Sequence, residues 1–320
     1  MSTKATARAL RRQSVRKPLR RRIAEDFKRN RLLYAMALPV IVYYVVYHYA
    51  PMYGALIAFQ NYSPMKGFWG SEWVGLEHFR SFIGSHYFWR LLRNTVLLSL
   101  YSLMFDFTAP LLLALLIQEV RSRYWKTAVQ TISYMPYFIS LIVVCGLVKE
   151  LTKSGGLVNI VYTLLTGSGG QDMLQDPGLF RGIYVASEIW QRVGWESIIY
   201  MAAMLAIDPG QYEAARIDGA SRLRQMWHIT LPGLAPTIAV LFILRMGYMM
   251  EVGYEKIILL YQPVTYETAD VISTYVYRKG LLGTDWSFSS AIGLFNSLIN
   301  LLLLVLANYV IRRRAGGGLW

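Results

Sequence analysis

Residues 288–311 read FSSAIGLFNSLINLLLLVLANYVI, 24 consecutive residues without an Asp, Glu, Lys or Arg. As a helix at 1.5 Å per residue the stretch covers about 36 Å, enough to cross the ~30 Å hydrocarbon core of a bilayer. Three arginines, Arg312, Arg313 and Arg314, follow at once and stop the run. A segment of this kind buries its backbone polar groups only as a helix or within a closed barrel, and its length and lack of strict alternation favour the helix. Working back along the chain, five more apolar runs can be drawn at 32–59, 91–117, 128–148, 182–206 and 237–261. Pro39 and Pro51 are predicted to bend the first, and the fourth is the least apolar because it carries Glu188, Arg192 and Glu196. The reading is an all-α integral membrane protein, a bundle of six transmembrane helices.

Composition agrees. Of 320 residues, 55% are hydrophobic and only 16% charged, against about 25% charged in soluble domains; mean hydropathy is +0.33. The formal charge of +14 could serve nucleic acid or an anionic membrane surface, and its distribution points to the membrane and away from nucleic acid. Twelve of the 33 Lys and Arg residues precede the first apolar run, in a basic tail spanning 1–31. No small-x-small cleavage site closes that run, which reads as a tail followed by an uncleaved helix. With the tail cytosolic, the cytosolic segments also include 118–127, 207–236 and 312–320, and together they hold 21 of the 33 basic residues. The longer opposite loops hold Lys66, Arg80, Arg90, Lys149, Lys153, Arg181, Arg278 and Lys279. Basic residues mark the cytosolic side, so both termini are predicted to lie there. The lone Cys145 sits within an apolar run and permits no disulfide within the chain.

The loop at 207–236 is unlike the others. Its first 26 residues, IDPGQYEAARIDGASRLRQMWHITLP, are too polar for lipid and read as two short helices. Asp208 is placed to cap a helix with Pro209 at its first position, and Gly219 to end it in a left-handed conformation. A second helix over 221–227 is predicted to stop before Leu231-Pro232, with the fifth span starting at 237. Small residues Ala214, Ala215 and Ala220 stand beside the charges of Glu213, Arg216 and Asp218. Small residues allow a second surface to approach closely and charges fix its orientation, so the segment is either a docking helix or an ordinary interfacial loop.

These residues carry a resemblance. Glu213-Ala214-Ala215, three residues, Gly219, nine residues and Ile229-Thr230-Leu231-Pro232 fill every fixed position of the E-A-A-x3-G-x9-I-x-L-P motif. That motif belongs to membrane subunits of bacterial ATP-binding-cassette importers, the binding-protein-dependent permeases, and Asp218-Gly219-Ala220 adds the usual D-G-A. Met226 departs from the phenylalanine of many sugar permeases. The resemblance covers roughly 91–312, and RNRLLYAMALP (29–39) with YAPMYGALIAFQNY (49–62) is similar to permeases for oligosaccharides derived from complex polysaccharides, pectin- and alginate-type fragments included.

The resemblance implies a multi-pass subunit of a type I importer in the bacterial cytoplasmic (inner) membrane. Its partners would be a second, different permease chain, two cytosolic ATPases and an extracytoplasmic solute-binding protein. The cargo would be an oligosaccharide, acidic or neutral. Glu213, Ala214, Ala215, Asp218, Gly219 and Ala220 would couple the chain to the ATPases. No cofactor would be bound by this chain; ATP and Mg²⁺ would sit on the ATPases. In keeping with this, no G-x-x-x-x-G-K-[ST] phosphate loop occurs. His48, His78, His86 and His228 lack metal-ligand spacing, and no catalytic residue set stands out. A transporter working alone would move cargo without ATP and leave the motif unexplained; a membrane enzyme would need a catalytic set.

Ionisable groups within spans are costly and face cavities or partner helices. Glu188, Arg192 and Glu196 fall at i, i+4 and i+8 on one face, beside Trp195. They serve either as ion-pair glue or as pathway lining. Arg245, Tyr248 and Glu251, with Glu255, are predicted to share a third of the fifth span's circumference. Asp106 in the second span and Asn296 in the sixth complete the candidate pathway, since sugar faces stack on rings while hydroxyls need polar partners.

Overall fold

The computed structural model describes residues 25–167 and 170–315, with side chains through 313. The basic tail expected over 1–31 falls outside the described residues as far as 24, and the C-terminal tail beyond 315 does so as well. The chain divides into two units, 1–56 and 57–320. In the first, α1 (Arg31–Tyr44) runs through Pro39 into a π-turn at Val45–Tyr49 and a 3-10 segment beginning at Ala50.

In the second unit, β1 (Gln60–Asn61) pairs antiparallel with β2 (Glu72–Trp73). The longer helices that follow are α2 (Glu77–Ile83), α3 (Phe88–Phe105), α4 (Thr108–Glu119), α5 (Arg123–Tyr134), α6 (Leu141–Thr152), α7 (Leu157–Thr166), α8 (Pro177–Met204), α9 (Pro209–Ile217), α10 (Leu231–Gly247), α11 (Tyr254–Leu260), α12 (Ile272–Tyr277) and α13 (Trp286–Ala315). Among the described residues, four helical stretches are long and apolar enough to cross a membrane: Arg31–Phe59, Phe88–Glu119, Arg222–Gly247 and Trp286–Arg313. A fifth counts if the bent pair Arg123–Phe138 and Leu141–Thr152 is one span. The charged α8, 28 residues long, is not among them.

Two expectations need correction. The run at 128–148 is not one helix: its halves meet at 103°. Pro136 ends the first half in a 3-10 turn, and the Ser140 side chain accepts the Val143 N–H to start the second. The fifth span does not occupy 237–261 either. Helix begins at Arg222 and runs to Gly247, and the chain is non-helical until α11. Leu231-Pro232 therefore does not stop the helix that precedes it. The turn at Met226–Thr230 widens to a π-turn, with the Leu231 N–H reaching Met226 O, and this accommodates a proline that has no N–H to give.

Three apolar clusters hold the second unit together. Leu98, Val144, Phe180 and Ile257 join α3, α6, α8 and α11. Phe82, Leu91, Ile272 and Ile292 join α2, α3, α12 and α13, and Leu115, Met204 and Leu234 join α4, α8 and α10. Without a hydrophobic drive between helices in lipid, close approach matters. At Gly194 on α8 a Cβ would lie 2.1 Å from the Ser133 carbonyl oxygen of α5, so only glycine permits this crossing. Buried Asp270 accepts from both guanidinium nitrogens of Arg278, at 2.8 and 2.7 Å, and from Thr274 at 2.8 Å. Asn94 of α3 holds the same segment through the Glu267 and Asp270 carbonyls. Burial opposes the charge on Arg278, but its hydrogen bonds to Asp270 and Tyr261 and the Asp270 charge outweigh that and hold the guanidinium above its ordinary value.

Candidate functional site

The segment 208–232 folds as an elbow. Asp208 accepts the Gly210 N–H at 2.9 Å and Pro209 fills the first helical position, as the sequence reading expects. At the other end Gly219 has φ +73, the Gly219 N–H reaches Arg216 O at 3.1 Å, and the Ala220 N–H reaches Ala215 O at 2.8 Å. That pair of hydrogen bonds is a Schellman cap, which places a left-handed residue where glycine stands. One side-chain link closes the elbow on itself and a second ties it to the bundle. The Tyr212 hydroxyl meets Thr230 Oγ1 at 2.9 Å, and Arg222 donates to Glu119 Oε2 at 3.1 Å at the end of α4. Glu213, Ala214, Asp218 and Gly219 are exposed, Ala215 and Ala220 half-buried. Ile217 is 87% exposed on the same short helix. A rigid, capped helix that presents a carboxylate, an alanine and a bare isoleucine has the features of a docking knob.

The intramembrane candidates divide. Asp106, Glu188, Arg192, Arg245, Tyr248 and Glu251 line one cavity of about 140 Å³. Asp106 sits where the helix falters between α3 and α4, and Arg245 in the last turn of α10; their side chains come within 3.8 Å. Each Glu188 carboxylate oxygen takes one cation, Arg192 Nε at 2.6 Å and Lys256 Nζ at 2.7 Å. Glu196 stands 4.0 Å from Arg192. Trp195 points elsewhere, stacked on Tyr137 at 4.7 Å. Asn296 lies outside this cavity and lines a larger one of about 700 Å³ with Tyr254, Ser273, Tyr277 and Gly293. The two cavities share Glu251, Val252 and Gly253.

The expected common face of Arg245, Tyr248, Glu251 and Glu255 does not exist, because α10 ends at Gly247. Tyr248 and Glu251 reach the cavity from the non-helical link instead. The link is held by Ser99, whose hydroxyl donates to Met249 O, and by Asn300, whose Oδ1 accepts the Met250 N–H at 2.8 Å. Lys256 was missed by sequence reasoning. It is 2% exposed, lies 5.4 Å from the Tyr184 ring centroid and neutralises a carboxylate 68 positions away. The signal was a lysine within an apolar stretch, KIILL, where an unpaired charge is costly.

These features, a multi-helix membrane protein with a capped polar elbow and a charged interior cavity, define a transport subunit. Residues 106–316 match the family described as the binding-protein-dependent transport system inner membrane component, and the chain belongs to that family. It is 42% identical over 294 residues to Protein LplB of Bacillus subtilis, covering 92% of each chain. It is also 42% identical over 306 residues to the polygalacturonan/rhamnogalacturonan transport system permease protein YteP of the same organism, covering 95% of each. The fold is similar to a chain of a bacterial alginate transporter crystallised with an alginate pentasaccharide-bound periplasmic protein, with TM-score 0.84 and 45% identity, covering 93% of this chain and 100% of that one.

Proposed function

We propose that this chain is one of two unlike permease subunits of a bacterial inner-membrane importer for oligosaccharides rich in uronic acids. Its partners are two ATPases on the cytosolic side and a solute-binding protein on the other. The chain crosses the membrane six times with both termini cytosolic: the four apolar helices, the bent pair α5–α6, and α8, whose Glu188 meets the buried Lys256 at the cavity. The observation that carries the reading is the elbow, where the exposed Glu213, Ala214 and Ile217 stand on a helix fixed at both ends. Rotation imposed there by the ATPases is passed to the bundle. Glu213 anchors the contact and Gly219 shapes it; Asp106, Glu188, Arg192, Arg245, Tyr248 and Glu251 line the narrow part of the path and Asn296 the wide part. The uronate cargo is supported by relatives named for polygalacturonan, rhamnogalacturonan and alginate.

The test is reconstitution of the full complex in liposomes. ATP hydrolysis should rise when the binding protein is loaded with a uronate oligosaccharide and stay low with a neutral one. Sugar uptake by this chain alone, without ATP, would overturn the reading.

A further inference from the structure

Asp106 is the odd member of the cavity. Its side chain is 8% exposed, and among the described residues no donor meets either carboxylate oxygen in good hydrogen-bond geometry, the Ser102 hydroxyl one turn earlier being the neighbour that lines the cavity beside it. The nearest cation, Arg245 Nη2, stands 3.8 Å from Oδ2, beyond hydrogen-bonding distance. Of the other carboxylates lining the cavity, Glu188 holds Arg192 and Lys256, and Glu251 is exposed. A buried carboxylate with two idle acceptors leaves two strong hydrogen bonds unmade.

We infer that Asp106 and Arg245 together form a transit subsite for one uronate ring, with Asp106 accepting from two neighbouring ring hydroxyls and Arg245 pairing the sugar carboxylate. The inference rests on the importer reading above and assigns its cargo to two named side chains. Both oxygens of a carboxylate lie side by side, as do vicinal hydroxyls, so one diol satisfies both idle acceptors. Arg245 is 38% exposed and, at 3.8 Å from Asp106, leaves its planar fork of donors open for a carboxylate. Tyr248, 63% exposed at the rim, offers a ring face for the pyranose. A uronate carries the hydroxyl pair and the carboxylate on one ring; a neutral hexose satisfies Asp106 alone.

The experiment uses the whole complex in liposomes, with a uronate oligosaccharide and its carboxyl-reduced neutral counterpart as cargos, each uptake rate taken relative to the unsubstituted complex. Arg245→Lys keeps the positive charge but loses the bidentate fork. It should lower uronate uptake at least tenfold and neutral uptake less than threefold. Asp106→Asn should lower both by similar factors of ten or more. Should the neutral cargo fail to load, the uronate arm and the charge-reversed pair Asp106→Arg with Arg245→Asp decide alone. That pair should not restore uptake, because it presents the wrong group to each part of the sugar. Normal uronate uptake by Arg245→Lys, an equal loss for both cargos in that variant, or restoration by the reversed pair would make the two residues a plain ion pair and overturn the proposal. A complex whose ATP hydrolysis no uronate-loaded binding protein stimulates would instead refute the importer reading, and this proposal with it.

Discussion

The hydroxyls of Tyr212 and Thr230 lie 2.9 Å apart, joining the middle of α9 to the residue just before α10. They are 18 positions apart, and the contact closes the elbow over the Schellman turn at Gly219. Tyr212→Phe removes only this hydrogen bond, worth about 0.5–1.5 kcal/mol. We expect the complex to assemble normally while uptake per ATP hydrolysed falls about two- to tenfold. An unchanged ratio of transport to hydrolysis would show that the elbow does not need this closure.

At Gly219 a Cβ meets nothing within 4 Å, so the cost of a side chain is conformational and not steric crowding within the chain. At φ +73 a β-branched residue is strained by about 1–3 kcal/mol. Gly219→Val is expected to leave the chain inserted but to reduce co-purification of the ATPase, lowering stimulated hydrolysis and uptake together. Glu213→Ala should act in the same direction and more mildly. Normal stimulated hydrolysis in Gly219→Val would remove this loop from the coupling path.

Glu188 serves two cations at once, one of them almost fully buried. Breaking a buried pair by removing one partner costs about 3–5 kcal/mol, whereas replacing both partners costs far less. Lys256→Met alone should therefore lower the thermal unfolding temperature of the detergent-solubilised complex sharply, and adding Glu188→Gln should recover much of the loss. Additive losses in the double variant would mean that the two side chains do not support each other.

The proposed topology is open to chemical labelling. Single cysteines at Gly167 and Ser221, in a Cys145→Ser background, are expected to react with an impermeant reagent from opposite faces of the membrane. Reaction of both from one face would contradict six crossings with cytosolic termini.

Much of the helical order was legible because local chemistry dictates it. The uncharged run at 288–311 lies inside α13, and Asp208, Pro209 and Gly219 bound α9 with the caps their side chains or φ allow. Two features escaped because they depend on events several residues away. The apolar character of 128–148 hid a corner that only the Ser140 cap and Pro136 create. Pro232 reads as a stop, yet the π-turn before it lets the helix pass. The site was legible in part: six of the polar span residues do share one cavity. Lys256 and the non-helical link at 248–253 were not, because pairing across 68 positions and the end of α10 at Gly247 are set by tertiary packing.

Helical continuity from Arg222 to Gly247 also has a mechanical meaning. Twenty-six residues make a lever about 39 Å long. The elbow sits at one end, and Arg245 rides near the other. If the rod tilted by about 10° at the elbow, its far tip would sweep about 7 Å, less whatever the π-turn and Pro236 absorb in flexing. That sweep exceeds the 3.8 Å separating Arg245 from Asp106. Spin labels at Thr108 and Gly247 would report such a stroke as a change in their separation between nucleotide-free and ATP-bound complexes. Under the proposed function, a push delivered at the elbow would thus change the Asp106–Arg245 separation directly, with no relay of intermediate parts.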